Sequence, residues 1–209
     1  MVIERIVVGE LEANCYIVYN EVSLQALIID PGGDASKIKI IIDRKKLKCL
    51  FIINTHGHID HIGANNEFDI PIMVHEADEE FLYNPELNLS MCFGFPYSSR
   101  KAEKILEGGE MFDFSGLSFE TIHTPGHTPG SICLKFDNHL FTGDTIFFQG
   151  IGRTDFPHSS EDKLLKSIKE KIFTLDAEIK IFPGHGPTST IGAEKNFSSK
   201  IWKNGLNSF

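Results

Sequence analysis

The sequence predicts an α/β protein in which two β-sheets pack between layers of helices. Runs rich in β-branched residues alternate with segments whose apolar residues recur at helical spacing, which is typical of helices packed on a sheet. The two halves also resemble each other weakly: each has a strand meander, a strand ending in aspartate (Asp30, Asp144), a helix, and a strand ending in a histidine loop (His56, His185). With no linker and no low-complexity segment, we expect one domain over residues 1–209.

The first half of the chain is predicted to contain a strand meander, a helix and two further strands. The strand-like runs stop at polar or glycine-containing turns, of which Asp30-Pro31-Gly32-Gly33 is the sharpest. Asp34 or Ser36 can cap the first long helix. The predicted elements are strands at 2–8, 14–19, 25–29, 49–53 and 69–74, a helix that ends near residue 46, and short helices at 60–67 and 77–83.

The second half begins with an irregular aromatic segment at residues 84–100. We interpret this segment as core filler beneath a loop, with a wall of a substrate pocket or an oligomer contact as alternatives. Strand character then returns, and a long loop leads to a helix capped by Ser159 or Ser160. The predicted elements are strands at 111–114, 117–122, 131–136, 139–142 and 178–182, a loop at 143–158, and helices at 160–173 and 192–203.

Charge and hydropathy argue against several function classes. The formal net charge is −9, whereas general nucleic-acid and anionic-membrane binders carry basic surfaces. No stretch reaches the apolar length of a transmembrane helix, and the N-terminus lacks the features of a signal peptide, so we expect a cytoplasmic location. No Cys-x-x-Cys pair occurs, and Cys15, Cys49 and Cys133 fall in strand-like runs, so we expect buried thiols rather than disulfides or metal ligands.

The segment Thr55–His61 carries the strongest functional signal. It directly follows the buried strand at 49–53, and strand ends are where open α/β sheets keep their sites. His56 and His58 flank a glycine, so both imidazoles can converge on one cation. Asp60 and His61 lie one step further along and cannot easily reach the same ion, which suggests a second one. Imidazole together with carboxylate suits zinc, iron or manganese.

Three more loops add candidate ligands to this segment. His127 lies in a turn stiffened by prolines, Asp144 ends a strand, and His185 lies between glycines at the end of a later strand. Strand-end loops on one edge of the sheets converge, so we expect these side chains to meet the histidine loop. Asp30 ends a strand at the same edge, and we hypothesise that it orients a ligand histidine. The other histidines are expected to lie outside the site; they are His75, His123, His139 and His158.

The series His56-x-His58-x-Asp60-His61, His127, Asp144, His185 resembles the metallo-β-lactamase fold superfamily. The resemblance covers nearly the whole chain and implies an αββα sandwich with a dinuclear metal site. It implies that the first metal is bound by His56, His58 and His127, that the second is bound by Asp60, His61 and His185, and that Asp144 bridges the two.

Two further segments resemble the short bacterial form of the glyoxalase II-like branch: Gly143–Phe147 and Gly152–Pro157. True β-lactamases, by contrast, typically carry cysteine at the position of Asp144. The resemblance implies hydrolysis of a thioester such as S-lactoylglutathione by a metal-bridging hydroxide. The implied cofactors are two divalent metal ions, zinc in the first place, with iron or manganese as alternatives. Asp60 would orient the hydroxide or relay a proton besides binding metal.

Several alternatives stay open beside this hydrolase. The segment Gly152–Phe156 also resembles the persulfide dioxygenase branch, which implies one iron held by His56, His127 and Asp144 and oxidation of sulfur compounds. A non-catalytic metal-binding or partner-binding protein is the third hypothesis. Arg153 and Asp155 are candidate substrate contacts, although a buried salt bridge that shapes the loop is the favoured interpretation. The expected partner is a small-molecule thioester or ester, and homo-oligomerisation is left open.

Overall fold

The computed structural model describes residues 1–203 and builds two six-stranded sheets that pack face to face. The first sheet runs in the order β1 to β6, in which β1–β3 pair antiparallel and β3–β6 pair parallel. Its strands are β1 (Val2–Val8), β2 (Ala13–Tyr19), β3 (Gln25–Ile29), β4 (Lys48–Ile53), β5 (Ile72–His75) and β6 (Lys104–Leu106).

The second sheet has the order β14-β13-β10-β9-β8-β7, with β10 and β13 parallel and the other pairs antiparallel. A two-stranded ribbon of β11 and β12 follows β10. The strands are β7 (Met111–Phe114), β8 (Leu117–His123), β9 (Ile132–Phe136), β10 (His139–Gly143), β11 (Ile146–Phe147), β12 (Gly150–Ile151), β13 (Lys180–Pro183) and β14 (Ser189–Thr190).

Three apolar cores stack through the molecule and define its four layers. The central core lies between the sheets and joins residues such as Tyr16 of β2 to Phe119 and Phe141 of the second sheet. A second core packs α1 (Ala35–Lys45), through Ile38, on the outer face of the first sheet. The third packs α3 (Glu161–Ser167), a π-helical turn (Ile168–Ile172) and α4 (Ile191–Lys203) on the second sheet. This layering confirms the predicted αββα sandwich.

Strand β2 is covered on both faces of its sheet. All seven of its residues are buried, because Ile17 faces the helix-side core while Tyr16 and Val18 face the core between the sheets. A strand covered on both faces loses the apolar–polar alternation of a half-exposed strand. The continuous apolar run Cys15–Tyr19 is therefore the sequence signature of a strand in the middle of a sandwich.

The structure differs from the predicted elements mainly in length. The predicted helix at 60–67 is a four-residue helix, α2 (Ile59–Ile62), followed by a 3₁₀ turn (Asn65–Glu67). The helix predicted at 77–83 is replaced by two 3₁₀ turns, Glu76–Asp78 and Glu80–Leu82. Strands β6, β11, β12 and β14 were not predicted, because two or three residues are too short to show a period.

The predicted cap of the third helix is confirmed, whereas the predicted burial of the cysteines is confirmed only in part. Ser160 caps α3 as predicted, because its side chain accepts a hydrogen bond from the Lys163 N–H. Cys15 and Cys133 are buried thiols, but the prediction is wrong for Cys49, which is only partly buried near the start of β4. Within residues 1–203, every helix is too short or too polar to cross a membrane.

Candidate metal centre

Four loops at one edge of the sandwich bring the predicted ligand side chains together. β4 ends at Ile53 and delivers the histidine loop, which continues into α2. The β8–β9 loop delivers His127, the end of β10 delivers Asp144, and the end of β13 delivers His185. β10 and β13 run parallel, so their carboxyl ends meet at the same edge. The convergence predicted from the sequence is present for every one of the candidate ligands.

The candidate ligands form three overlapping groups of three, two of which we call the first trio and the second trio. The first trio is His56, His58 and His127, and the second trio is Asp60, His61 and His185. The remaining group, His56, His61 and Asp144, joins the two trios. Within each trio, one ligand atom from each residue lies within 4.8 Å of the others. The closest atoms are His58 Nδ1 and His127 Nε2, 2.9 Å apart in the first trio, and His185 Nε2 and Asp60 Oδ2, 3.1 Å apart in the second.

Asp144 lies between the two trios, and its carboxylate oxygens lie within 3.8 Å of histidines from both. Its Oδ1 lies 3.4 Å from His61 Nε2 of the second trio. Its Oδ2 lies 3.5 Å from His127 Nε2 of the first trio and 3.8 Å from His185 Nε2. This is the position that a bridging carboxylate requires.

Several of these atoms are buried without a hydrogen-bond partner. They are His56 Nε2, His61 Nε2 and Asp144 Oδ1, and all belong to the same cluster. Buried polar atoms normally have partners, and an exception requires an explanation such as an ion. Nitrogen and carboxylate oxygen atoms at this spacing are the donor set of divalent transition metals. The residues present therefore fit divalent cations.

Burial and charge set the protonation of the cluster. Burial and the neighbouring histidines hold the pKa of His56 and of His58 well below the ordinary value, so both imidazoles are neutral, as metal ligands must be. Burial lowers the pKa of His61 as well, but the carboxylates of Asp60, Asp144 and Asp30 outweigh it and raise that pKa to about 10. The cluster thus attracts positive charge, which a bound cation supplies instead of a proton.

Asp30 supports the second trio from behind. Its Oδ1 accepts the Thr55 N–H at 2.7 Å, and its Oδ2 accepts the Thr55 hydroxyl at 2.7 Å. His61 Nδ1 lies 3.0 Å from the same Oδ2 and donates its proton there, so Nε2 is the nitrogen that would bind a cation in place of its own proton. The structure therefore places Asp30 in the orienting position that the sequence analysis hypothesised.

Asp78 supports the first trio, and the sequence analysis missed it. This fully buried carboxylate accepts the Gly57 N–H at 2.9 Å and the Thr128 hydroxyl at 2.7 Å on Oδ2, and the Gly130 N–H at 2.6 Å on Oδ1. Gly57 separates the two histidines of the first loop, and Thr128 follows His127 directly. One carboxylate thus joins the two loops that carry the first trio. Local sequence offers no signal for it, since its partners lie about 20 and 50 residues away.

The model of the metallo-beta-lactamase superfamily matches residues 8–185 of this chain, a span that contains both trios. The chain belongs to this superfamily. The match confirms the superfamily that the histidine and aspartate series indicated.

Two relatives narrow the group within the superfamily. The chain is 37% identical over 199 residues to the probable metallo-hydrolase YqgX of Bacillus subtilis, an alignment that covers 92% of this chain and 93% of that protein. It is 37% identical over 205 residues to the hydroxyacylglutathione hydrolase GloC of Haemophilus influenzae, with coverages of 93% and 95%. These similarities confirm the predicted class, a metal-dependent hydrolase, and the likeness to the glyoxalase II-like branch.

Two solved structures share the fold closely. The BLEG-1 B3 metallo-beta-lactamase superposes with a TM-score of 0.89 at 36% identity, covering 93% of this chain and 97% of its own. TTHA1623, solved in a di-iron-bound form, superposes with a TM-score of 0.81 at 29% identity and coverages of 93% and 98%. TTHA1623 therefore shows metal binding in a protein of this fold, in keeping with the donor set described above.

Arg153 contacts the first trio through its backbone carbonyl group. Its carbonyl oxygen lies 2.8 Å from His127 Nδ1 and accepts that proton, which orients the ring. Its guanidinium pairs with Asp155 at 2.9 and 2.7 Å, as predicted, but the expected burial is wrong, because both side chains are about two-thirds exposed. The Arg153 side chain faces the cavity above the trios and lies 4.4 Å from the Phe156 ring.

Two neighbouring cavities open at the site. The central cavity, of about 450 Å³, has ligands from both trios and Asp144 at its base and apolar side chains such as Phe147 and Phe156 in its walls. The second cavity, of about 300 Å³, lies beside the central cavity. We call it the Phe95 cavity because Phe95 lines this cavity and not the central one. The core-filler interpretation of the aromatic segment is therefore wrong for Phe93 and Phe95, which are about half exposed and line cavity walls.

The four histidines predicted to lie outside the site do so. His75 and His123 stack on each other with ring centroids 3.9 Å apart, and their Nε2 atoms bond to the carbonyls of Glu107 and Pro129. Neither of them joins a trio, nor do His139 and His158.

Proposed function

We propose that this protein is a dinuclear metal-dependent hydrolase of thioesters. The observation that carries the proposal is the pair of trios on either side of Asp144 at the base of one cavity. His56, His58 and His127 would hold one ion, Asp60, His61 and His185 would hold the other, and Asp144 would join them. When bound, two such ions supply a hydroxide nucleophile at neutral pH and stabilise the charge that develops on a carbonyl oxygen.

The chain's own residues position the reactants. Burial raises the pKa of Asp60, but the neighbouring His61 and His185 outweigh this effect and hold the pKa below its usual range, so the carboxylate stays ionised. An ionised carboxylate facing the cavity can accept a hydrogen bond from the attacking water and orient it. Phe147 and Phe156 provide apolar walls beside these residues. A thioester suits this arrangement, because a thiolate leaves without needing a proton from the protein.

The relatives support a small-molecule substrate. One of them is named a hydroxyacylglutathione hydrolase, which makes S-lactoylglutathione the reference thioester. Another is described as a B3 metallo-beta-lactamase, so a β-lactam is the comparison substrate that the same carbonyl chemistry would accept. The formal net charge of −9 disfavours a nucleic-acid substrate.

The test is metal content together with turnover. Protein purified without added metal is analysed by elemental mass spectrometry and assayed with S-lactoylglutathione, with a β-lactam, and in an oxygen electrode with a persulfide. About two equivalents of metal and thioester turnover are expected. Asp60→Ala, which removes a member of the second trio, should lose about one equivalent of metal and nearly all turnover. One equivalent of iron, oxygen uptake and no thioester turnover would instead favour a sulfur dioxygenase and contradict the proposal.

A further inference from the structure

Large apolar side chains are exposed around the Phe95 cavity. This cavity lies between the turn that contains Gly9 and Leu11 and the segment that contains Phe93, Phe95 and Tyr97. The exposed fractions of Leu11, Phe93 and Phe95 are 46%, 46% and 56%. Apolar side chains grouped in this way mark a binding surface more often than chance exposure.

The Phe95 cavity adjoins the central cavity. It shares Leu11, Ile59, Asp60 and Phe93 with the central cavity, and Asp60 is also a member of the second trio. A substrate whose carbonyl carbon lies over the trios can therefore extend a substituent past Asp60 into this space. The volume of about 300 Å³ accommodates about ten non-hydrogen atoms, at roughly the 30 Å³ that a water molecule occupies in the liquid.

The charges around the two cavities select against an anionic substituent. Glu10 and Asp60 are the charged residues that line the Phe95 cavity, and both are acidic. Among the described residues of the central cavity, Arg153 is the single lysine or arginine, and it is already paired with Asp155. A carboxylate placed in the Phe95 cavity would face Glu10 and would have no lysine or arginine among the residues that line this cavity. An uncharged apolar group, by contrast, gains by leaving water at these walls.

We infer that the substrate carries an uncharged apolar substituent of up to about ten non-hydrogen atoms, on one side of the scissile carbonyl, which the Phe95 cavity takes. The inference rests on the proposed thioester hydrolysis and names its substrate class. The preferred substrate then carries an apolar chain on its acyl or its thiol side, and S-lactoylglutathione, which carries such a chain on neither side, is a poorer substrate.

The experiment varies the substrate on either side of the carbonyl. Metal-loaded full-length protein is assayed with N-acetylcysteamine thioesters whose acyl chain grows from acetyl to octanoyl, and with acetyl thioesters of alkyl thiols of growing length. In one of the two series kcat/KM should rise by about tenfold or more, since each methylene that enters an apolar pocket adds selectivity. S-lactoylglutathione should be hydrolysed less efficiently than the long-chain thioesters of that series.

Two variants locate the effect. Phe95→Asp should reduce the ratio of long-chain to acetyl kcat/KM to about threefold or less. Val22→Asp adds the same charge at a residue that is 94% exposed in the β2–β3 turn, and should keep the wild-type ratio. Both proteins are also sized by light scattering.

The outcomes separate the inference from the proposed function. If metal-loaded wild type hydrolyses no thioester, the proposed function falls and the inference falls with it. If acetyl or lactoyl thioesters are hydrolysed but kcat/KM is flat in both series, or the glutathione thioester is preferred, the inference alone is overturned. If Phe95→Asp dissociates a dimer and leaves the chain-length ratio unchanged, the apolar rim is a contact between copies, which also overturns it.

Discussion

Replacing Asp78 by asparagine tests whether a buried carboxylate positions the first trio. Asp78 accepts three hydrogen bonds, two on Oδ2 and one on Oδ1. Asparagine keeps one acceptor oxygen, which can serve Gly57 and Thr128. Its NH₂ then faces the Gly130 N–H and leaves that buried donor without an acceptor, at a cost of about 1–3 kcal/mol.

The charge that the substitution removes has the opposite effect on stability. Burial raises the pKa of Asp78 from 3.8 to about 6, against the pull of its three donors. A shift of this size means that keeping the carboxylate ionised at pH 7.5 costs about 3 kcal/mol in the folded state. The two effects nearly cancel, so the free energy of unfolding of metal-free Asp78→Asn should stay within about 2 kcal/mol of the wild type.

The sign of the pH dependence follows from the same shift. Because the pKa of Asp78 is higher in the folded chain than in the unfolded chain, its protonated form stabilises the fold below about pH 4. That contribution is lost as the pH rises through about 6. The wild type should therefore gain about 3 kcal/mol relative to Asp78→Asn between pH 7 and pH 4, as measured by urea unfolding of chelator-treated protein.

Metal affinity should fall even if the free energy of unfolding of the metal-free protein stays unchanged. Loss of a partner that holds ligand-bearing backbone typically weakens metal binding by about 10- to 100-fold. The assay is competition against a chromophoric chelator. Glu194→Gln is the matched control: Glu194 is also buried, but it accepts the Gln149 N–H and the Ser189 hydroxyl rather than groups in the two loops of the first trio. Metal affinity of Asp78→Asn within twofold of the wild type would refute the reasoning, whatever happened to its stability.

Three further substitutions test other contacts of the centre. His58→Ala removes a member of the first trio and should lose about one equivalent of metal, by elemental mass spectrometry, and roughly 10²- to 10³-fold in thioester turnover. Asp30→Asn should weaken binding of one metal equivalent by about 10- to 100-fold in the chelator titration, because His61 loses the acceptor that orients it. Arg153→Ala should leave metal content and melting temperature unchanged, since any residue there supplies the carbonyl that bonds His127; loss of metal would show that the side chain matters.

The convergence of the candidate ligands could be predicted because the information is local. Metal ligands in proteins come from few residue types, so candidates are easily recognised in a sequence. Apolar runs mark strands such as β4 and β10, and the segment Thr55–His61 and Asp144 follow these strands. The β10–β13 parallel pair then brings Asp144 and His185 to one edge as a matter of topology.

Contacts between distant segments could not be predicted. The sequence places Asp78 in a predicted helix and gives no sign of its role. That role depends on hydrogen-bond donors from two loops, which approach Asp78 only in the folded sandwich. The exposure of Arg153 and Phe95 depends likewise on what covers each loop, and a single sequence carries no periodic signal for that. The ion pair with Asp155 was predictable from spacing, whereas its exposure was not.

Asp30 and Asp78 position candidate ligands through different kinds of hydrogen bond. Asp30 bonds directly to a candidate ligand, His61, and fixes which nitrogen carries the proton. Asp78 instead accepts hydrogen bonds from the Gly57 N–H and the Thr128 hydroxyl, and so fixes the relative position of the two loops that carry the first trio. A tautomer constraint sets ligand basicity, while a loop constraint sets the distances between ligands. In the proposed dinuclear centre, Asp30→Asn would therefore act chiefly on the basicity of His61, whereas Asp78→Asn would act chiefly on the spacing of His56, His58 and His127.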